Sequence, residues 1–101
     1  MVPRGSVGNG VGPVLQASPA AHAIVAAIRA LNPQTQVIDR GAYLRVLVPE
    51  RCVVTRQAIE QAAGAQFRLP GDLEAVMSSF KGRFTVSEDQ AAWEYRPREG
   101  R

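Results

Sequence analysis

Between Leu69 and Tyr95 the spacing of apolar residues changes period, and no single type of secondary structure can satisfy it. Leu73, Val76 and Met77 fall at i, i+3 and i+4, one face of a helix, with Asp72 placed just before them as an N-cap. Phe80, Gly82, Phe84 and Val86 then share one parity and Lys81, Arg83 and Thr85 the other, the alternation of a half-buried strand. Ser87-Glu88-Asp89 has turn chemistry, after which Ala91, Trp93 and Tyr95 return on one side with Glu94 on the other. The pattern predicts a helix, a corner at Ser78–Arg83, and a C-terminal antiparallel hairpin.

Upstream, Met1-Val2-Pro3-Arg4-Gly5-Ser6 reads as the remnant of a protease-cleavable expression tag, so that the native chain is expected to begin near Val7. Val7-Gly8-Asn9-Gly10-Val11-Gly12-Pro13 is glycine-rich and is expected to be a mobile or extended leader into a first strand at Val14-Leu15. A phosphate-binding glycine loop would need a strand before the glycines and a helix after them, and neither is indicated. Ser18 as N-cap and Pro19 in the first turn open a helix whose stripe is Ala21, Ile24, Val25, Ile28 and Leu31. Asn32-Pro33 closes it, Asn tolerating a left-handed conformation and Pro being unable to continue the helix. Gln36–Asp39, Ala42–Val48 and Cys52–Val54 follow as strands of an expected three-stranded antiparallel meander. Thr55 caps a short helix over residues 56–63, with Ile59, Ala62 and Ala63 inward and Gly64 as its C-terminal stop. Phe67 and Leu69 then lead through Pro70-Gly71 to the Leu69–Tyr95 stretch.

A chain of 101 residues has room for one core. The expected fold class is α+β: a single compact domain over residues 7–95, antiparallel strands with two to three helices, a C-terminal hairpin, and a flexible basic tail over 96–101. Hydrophobic residues at 46% and charged ones at 21% fit a globular chain, and no apolar run is long enough to span a bilayer, so a cytoplasmic protein is expected. The single cysteine, Cys52, fits a reducing compartment and the role of a small core filler. The net charge of +3 and isoelectric point near 9.8 raise nucleic-acid binding as a class. Yet Arg4 belongs to the tag and Arg96, Arg98 and Arg101 to the tail. Eight basic residues then face eight acidic ones, without the electrostatic footprint that dominates such binding. His22 is the one histidine, with no ligand-spaced Cys or carboxylate beside it, and no nucleophile, base and orienting residue occur together. The residues alone point to a small interaction module rather than a catalyst; a basic tail that binds nucleic acid through Arg96, Arg98 and Arg101 is the alternative reading.

Several short segments in a fixed order carry a resemblance: Asn32-Pro33; Asp39-Arg40-x-Ala42-Tyr43-x-Arg45; Thr55-Arg56 before a helix containing Glu60; Gly64-x-x-Phe67; Leu73-Glu74; Ser79-Phe80-x-Gly82; and Glu88-Asp89-Gln90. Over about ninety residues this succession resembles the effector, or regulatory, components of bacterial multicomponent diiron monooxygenases. Asn9-x-Val11-Gly12-Pro13 and the lack of a long N-terminal extension are similar to the toluene branch. Val76 departs from the family pattern, where Asn is frequent, as does Ala65-Gln66 in place of Arg-Pro. The resemblance implies an α+β protein with no catalytic residues, cofactor or metal, monomeric when free. It would dock on the diiron hydroxylase of an aromatic-hydrocarbon monooxygenase, shift its active-site conformation, and couple oxygen activation and electron transfer to hydroxylation. Ferredoxin and reductase components would be functional partners, the ferredoxin sharing the same hydroxylase surface. The hydroxylase-binding residues carried over are Asn9, Val11, Gly12, Pro13, Val76, Ser78, Ser79, Phe80, Lys81, Gly82 and Arg83. The Ser and Gly residues among them would allow close backbone approach to the partner.

Overall fold

The computed structural model describes residues 9–96. The expected tag remnant at residues 1–6 and the tail beyond Arg96 lie outside the described residues. In chain order the elements are β1 (Gly10–Gln16), α1 (Pro19–Leu31), β2 (Gln36–Asp39), β3 (Tyr43–Pro49), β4 (Arg51–Thr55), α2 (Arg56–Ala63), α3 (Gly71–Val76), β5 (Met77–Lys81), β6 (Arg83–Val86) and β7 (Gln90–Glu94). They form two antiparallel sheets, β2-β3-β1-β5 and β4-β7-β6, with α1 against α2 and β4, and β1 against β4 and β7. The α+β class stands as expected.

Local capping chemistry sets two of the helices. The Ser18 hydroxyl accepts from the Ala21 N–H at 3.1 Å and the Thr55 hydroxyl from the Ala58 N–H at 3.1 Å. Gly64 ends α2 at φ 69°, the left-handed stop its sequence position predicts. Ala21, Ile24, Val25 and Ile28 carry α1 into a core shared with Leu15, Val46, Val54, Ile59, Leu73 and Trp93. Leu31, at the end of the predicted stripe, is 45% exposed.

Several expectations change. The glycine-rich leader is not mobile from Gly10 onward: it is β1, an interior strand, with Gly10, Val11, Gly12 and Pro13 buried. Proline lacks the N–H that a strand flanked on both sides would use. The ladder to β3 holds at Gly10–Val11 and again at Val14–Gln16, while Gly12 and Pro13 pair with β5. A Cβ on Gly12 would lie 2.4 Å from the Val46 carbonyl oxygen, so the strand can pass β3 there only as glycine. The meander is in fact a hairpin, β2–β3, because Glu50, at φ 70°, turns the chain out of the first sheet and β4 joins the second.

Asn32 closes α1 in an extended conformation (φ −132°, ψ 99°), not a left-handed one. The reason lies in its side chain, which is 7% exposed and reaches across to β4. The amide donates to the carbonyls of Ile28 (2.7 Å) and Val53 (2.8 Å), and its oxygen accepts from the Val53 N–H (3.2 Å). Ala62 and Ala63 are exposed; Ile59 and half-buried Ala58 make the inner face of α2. Pro70, not Asp72, occupies the N-cap position of α3, and Asp72 instead accepts from the Arg68 N–H at 2.8 Å. Met77 leaves the helix to start β5, so the single strand predicted across Phe80–Val86 is two strands in different sheets. Tyr95 is 38% exposed, whereas Ala92 is buried with Ala91 and Trp93 because β7 is the middle strand of its sheet.

Candidate functional site

The corner predicted at Ser78–Arg83 is an exposed edge strand followed by a turn. Lys81, Phe80 and Ser79 pair with Gly12, Pro13 and Val14, and the Ser78 hydroxyl donates to the Val14 carbonyl at 3.3 Å. All six residues from Ser78 to Arg83 are exposed. Phe80 shows 46% of its surface and packs on the fold by one side of its ring: its centroid lies 5.3 Å from that of Phe84, which stacks 5.2 Å from fully buried Trp93. Trp93 and Phe84 are register partners of β7 and β6. An aromatic stack thus runs from the core to the surface and ends on Phe80.

Gly82 joins the two sheets at φ 105°, and a Cβ there would lie 2.8 Å from Val11 Cγ1 and 3.0 Å from the Glu94 carbonyl oxygen. Its smallness is therefore used inside the fold, against Val11, rather than kept for a partner. Among the other residues carried over, Val11, Gly12 and Pro13 are buried strand and offer no side-chain surface, and Val76 is half-buried. Asn9 lies half-buried at the start of β1, its side-chain amide N–H donating to the Glu50 carboxylate and its backbone carbonyl accepting from the Glu50 N–H at 3.1 Å.

Beside Gly82 an open groove of about 650 Å³ is lined by Val11, Lys81, Gly82, Arg83, Tyr95 and Arg96. Tyr95 and Arg96 were not among the residues named from sequence. Tyr95 shares the parity of Trp93 and so reads as core. The strand ends at Glu94, however, and the Tyr95 N–H bonds to the Glu50 carbonyl at 2.9 Å, which leaves the ring at the rim.

Among the described residues no three His, Cys, Asp or Glu side chains come together, and His22 is exposed on α1. Burial pushes the Cys52 thiol up to about 12, so it is a core filler and not a nucleophile. No helix among the described residues is long and apolar enough to cross a membrane. What the geometry does provide is an exposed edge strand and turn over Ser78–Arg83, with an open groove beside it, on a small α+β scaffold.

Residues 9–94 match the MmoB/DmpM family, and the chain belongs to it. It is 44% identical over 90 residues to the effector subunit of an alkene monooxygenase system from Xanthobacter autotrophicus, covering 87% of this chain and 88% of that one. Its fold is also that of the regulatory protein in a phenol hydroxylase–regulatory protein complex (TM-score 0.76, 18% identity, 86% of this chain and 98% of that one). The soluble methane monooxygenase regulatory protein B is similar as well (TM-score 0.67, 22% identity, 96% of this chain and 71% of that one). The protein is a regulatory component of a multicomponent monooxygenase system, not its catalyst.

Proposed function

We propose that this effector docks on the diiron hydroxylase of its monooxygenase through the exposed edge of β5 and the Gly82 turn, with Phe80 as the central anchor. The observation that carries the reading is the unbroken exposure of Ser78–Arg83 around an aromatic ring packed on Phe84 and through it on Trp93. Aromatic side chains held in a set position are the usual centres of binding energy at interfaces. Family membership and the fold shared with a hydroxylase-bound regulatory protein support the choice of partner. The iron chemistry belongs to the hydroxylase. The effector contributes differential affinity: it binds the oxygen-activating conformation more tightly and so raises its population, coupling electron delivery to hydroxylation. The ferredoxin uses an overlapping surface and must exchange with it. The system works in the cytoplasm on a hydrocarbon; the Xanthobacter relative favours an alkene and the Asn9–Pro13 resemblance an aromatic ring.

The test is reconstitution of hydroxylase, reductase and ferredoxin with this protein titrated in, on a small alkene and on toluene. Turnover and product formed per reductant consumed should both rise and saturate near stoichiometry. No response on either substrate would sink the proposal. Phe80→Ala should weaken hydroxylase binding by roughly tenfold or more, with the melting temperature changed only slightly.

A further inference from the structure

The groove beside the corner has a chemistry that an aromatic anchor does not explain. Three of its six lining residues, Lys81, Arg83 and Arg96, are cationic, and none is acidic. They come from the end of β5, the start of β6 and the residues following β7, and the fold alone brings them together. Two described carboxylates at this end of the molecule, Glu94 and Glu50, have partners outside the groove. Glu94, directly across from Arg83 in the ladder, accepts from Arg51 Nε at 2.8 Å, and Glu50 takes the Asn9 amide. Among the described residues Arg83 and Arg96 form no ion pair, whereas Arg56 sits with both Glu60 and Asp89.

We infer that this groove receives a carboxylate-bearing segment of the hydroxylase, with the guanidinium groups of Arg83 and Arg96 as donors and the Tyr95 ring as an apolar wall. The inference rests on the docking reading above and adds what the partner must present there: an acidic loop or helix end. A guanidinium offers a planar pair of N–H donors that matches a carboxylate, and like charges gathered in a concave site attract an opposite charge over a distance. The charged groove then sets the rate and orientation of encounter while Phe80 sets the lifetime of the complex.

The test measures binding of the intact effector to the hydroxylase component at about 20 mM and about 500 mM NaCl, with turnover recorded in parallel. Wild-type affinity should fall steeply with salt. The charge-reversed pair Arg83→Glu/Arg96→Glu should lose roughly tenfold or more at low salt, mainly in the association rate, and should lose most of the salt dependence. Arg83→Lys/Arg96→Lys, which keeps the charge but not the paired donors, should fall between wild type and the Glu pair and keep the salt dependence. Arg40→Gln should match wild type throughout: its turn meets β1 at the Gln16–Ala17 end, about 20 Å along the strand from Gly10. Salt-independent wild-type binding, or a Lys pair as weak as the Glu pair, would overturn the inference while the docking surface stands. A wild-type protein that neither binds the hydroxylase nor changes its turnover would instead remove the docking reading itself.

Discussion

Replacing Gly82 by alanine separates a glycine that serves the partner from one that serves the fold. The new methyl would sit 2.8 Å from Val11 Cγ1, closer than real Cβ contacts come, and 3.0 Å from the Glu94 carbonyl oxygen, tight enough that the neighbour must shift. Neither neighbour can yield easily, since Val11 is 1% exposed with a stiff β-branched side chain and the Glu94 carbonyl is strand backbone. The backbone at φ 105° adds about 1–2 kcal/mol for an L-residue with positive φ. Overpacking adds about 1–3 kcal/mol. A loss of about 3 kcal/mol is a large share of the roughly 5–15 kcal/mol that holds a domain of this size. It should lower Tm by about 12–24 °C. Urea and thermal melts followed by the fluorescence of Trp93, the single tryptophan, would read this directly. A Tm within about 2 °C of wild type would refute the packing argument. Any loss of hydroxylase binding would then have to be assigned to direct contact, which is the role that close backbone approach would give it.

Two further substitutions test the parts of the fold that hold this surface in place. Asn32→Ala leaves the carbonyls of Ile28 and Val53 and the Val53 N–H without their buried partner, and urea denaturation should show a loss of about 2–4 kcal/mol; Asn32→Asp should cost at least as much, because a carboxylate cannot donate to either carbonyl. For Cys52 the folded thiol lies at about 12, above its ordinary 9.0, so its contribution is fully present below pH 9 and is lost as pH rises from there towards 12. The difference in stability between wild type and Cys52→Ala should therefore be flat below pH 9 and shrink by about 1.4 kcal/mol per pH unit above it. Identical pH slopes would contradict the burial, as would rapid native-state labelling of the thiol near pH 8.

What could be read from sequence was whatever local chemistry decides. Ser18-Pro19, Thr55 and Gly64 mark helix ends because the groups they satisfy lie within a turn, and the structure has each where it is expected. Alternation likewise shows that Phe84 and Trp93 share a face. It carries no information on which strand lies beside which, so the transfer of β4 to the second sheet at Glu50 and the division of residues 77–86 between two sheets were not legible. Gly10–Pro13 was misread for a related reason. Glycine and proline ordinarily mark loops, but here they line a strand so closely crossed by β3 and β5 that larger residues do not fit at Gly12. The exposed residues Ser78–Arg83 came from the family resemblance, not from periodicity. Tyr95 and Arg96 were missed because parity continues on paper past the residue at which the strand stops.

The aromatic stack has a consequence for how the effector could act once bound. Moving a hydroxylase from 1:99 to 99:1 in favour of one conformation takes about 5.5 kcal/mol of differential affinity. A side chain already packed before docking loses less of its binding energy to ordering, and Phe80 packs on Phe84 and through it on Trp93. If the Phe80 ring contributes about 2 kcal/mol and only to the activated conformation, removing it leaves about 3.5 kcal/mol of differential and an activated fraction near 80% at saturation. Phe80→Ala should then lower both the affinity and the turnover at saturating effector, the latter by about a fifth. If the ring binds both conformations equally, only the midpoint of the titration moves and the plateau stays at the wild-type level. The plateau decides whether Phe80 merely holds the complex together or is part of the switch.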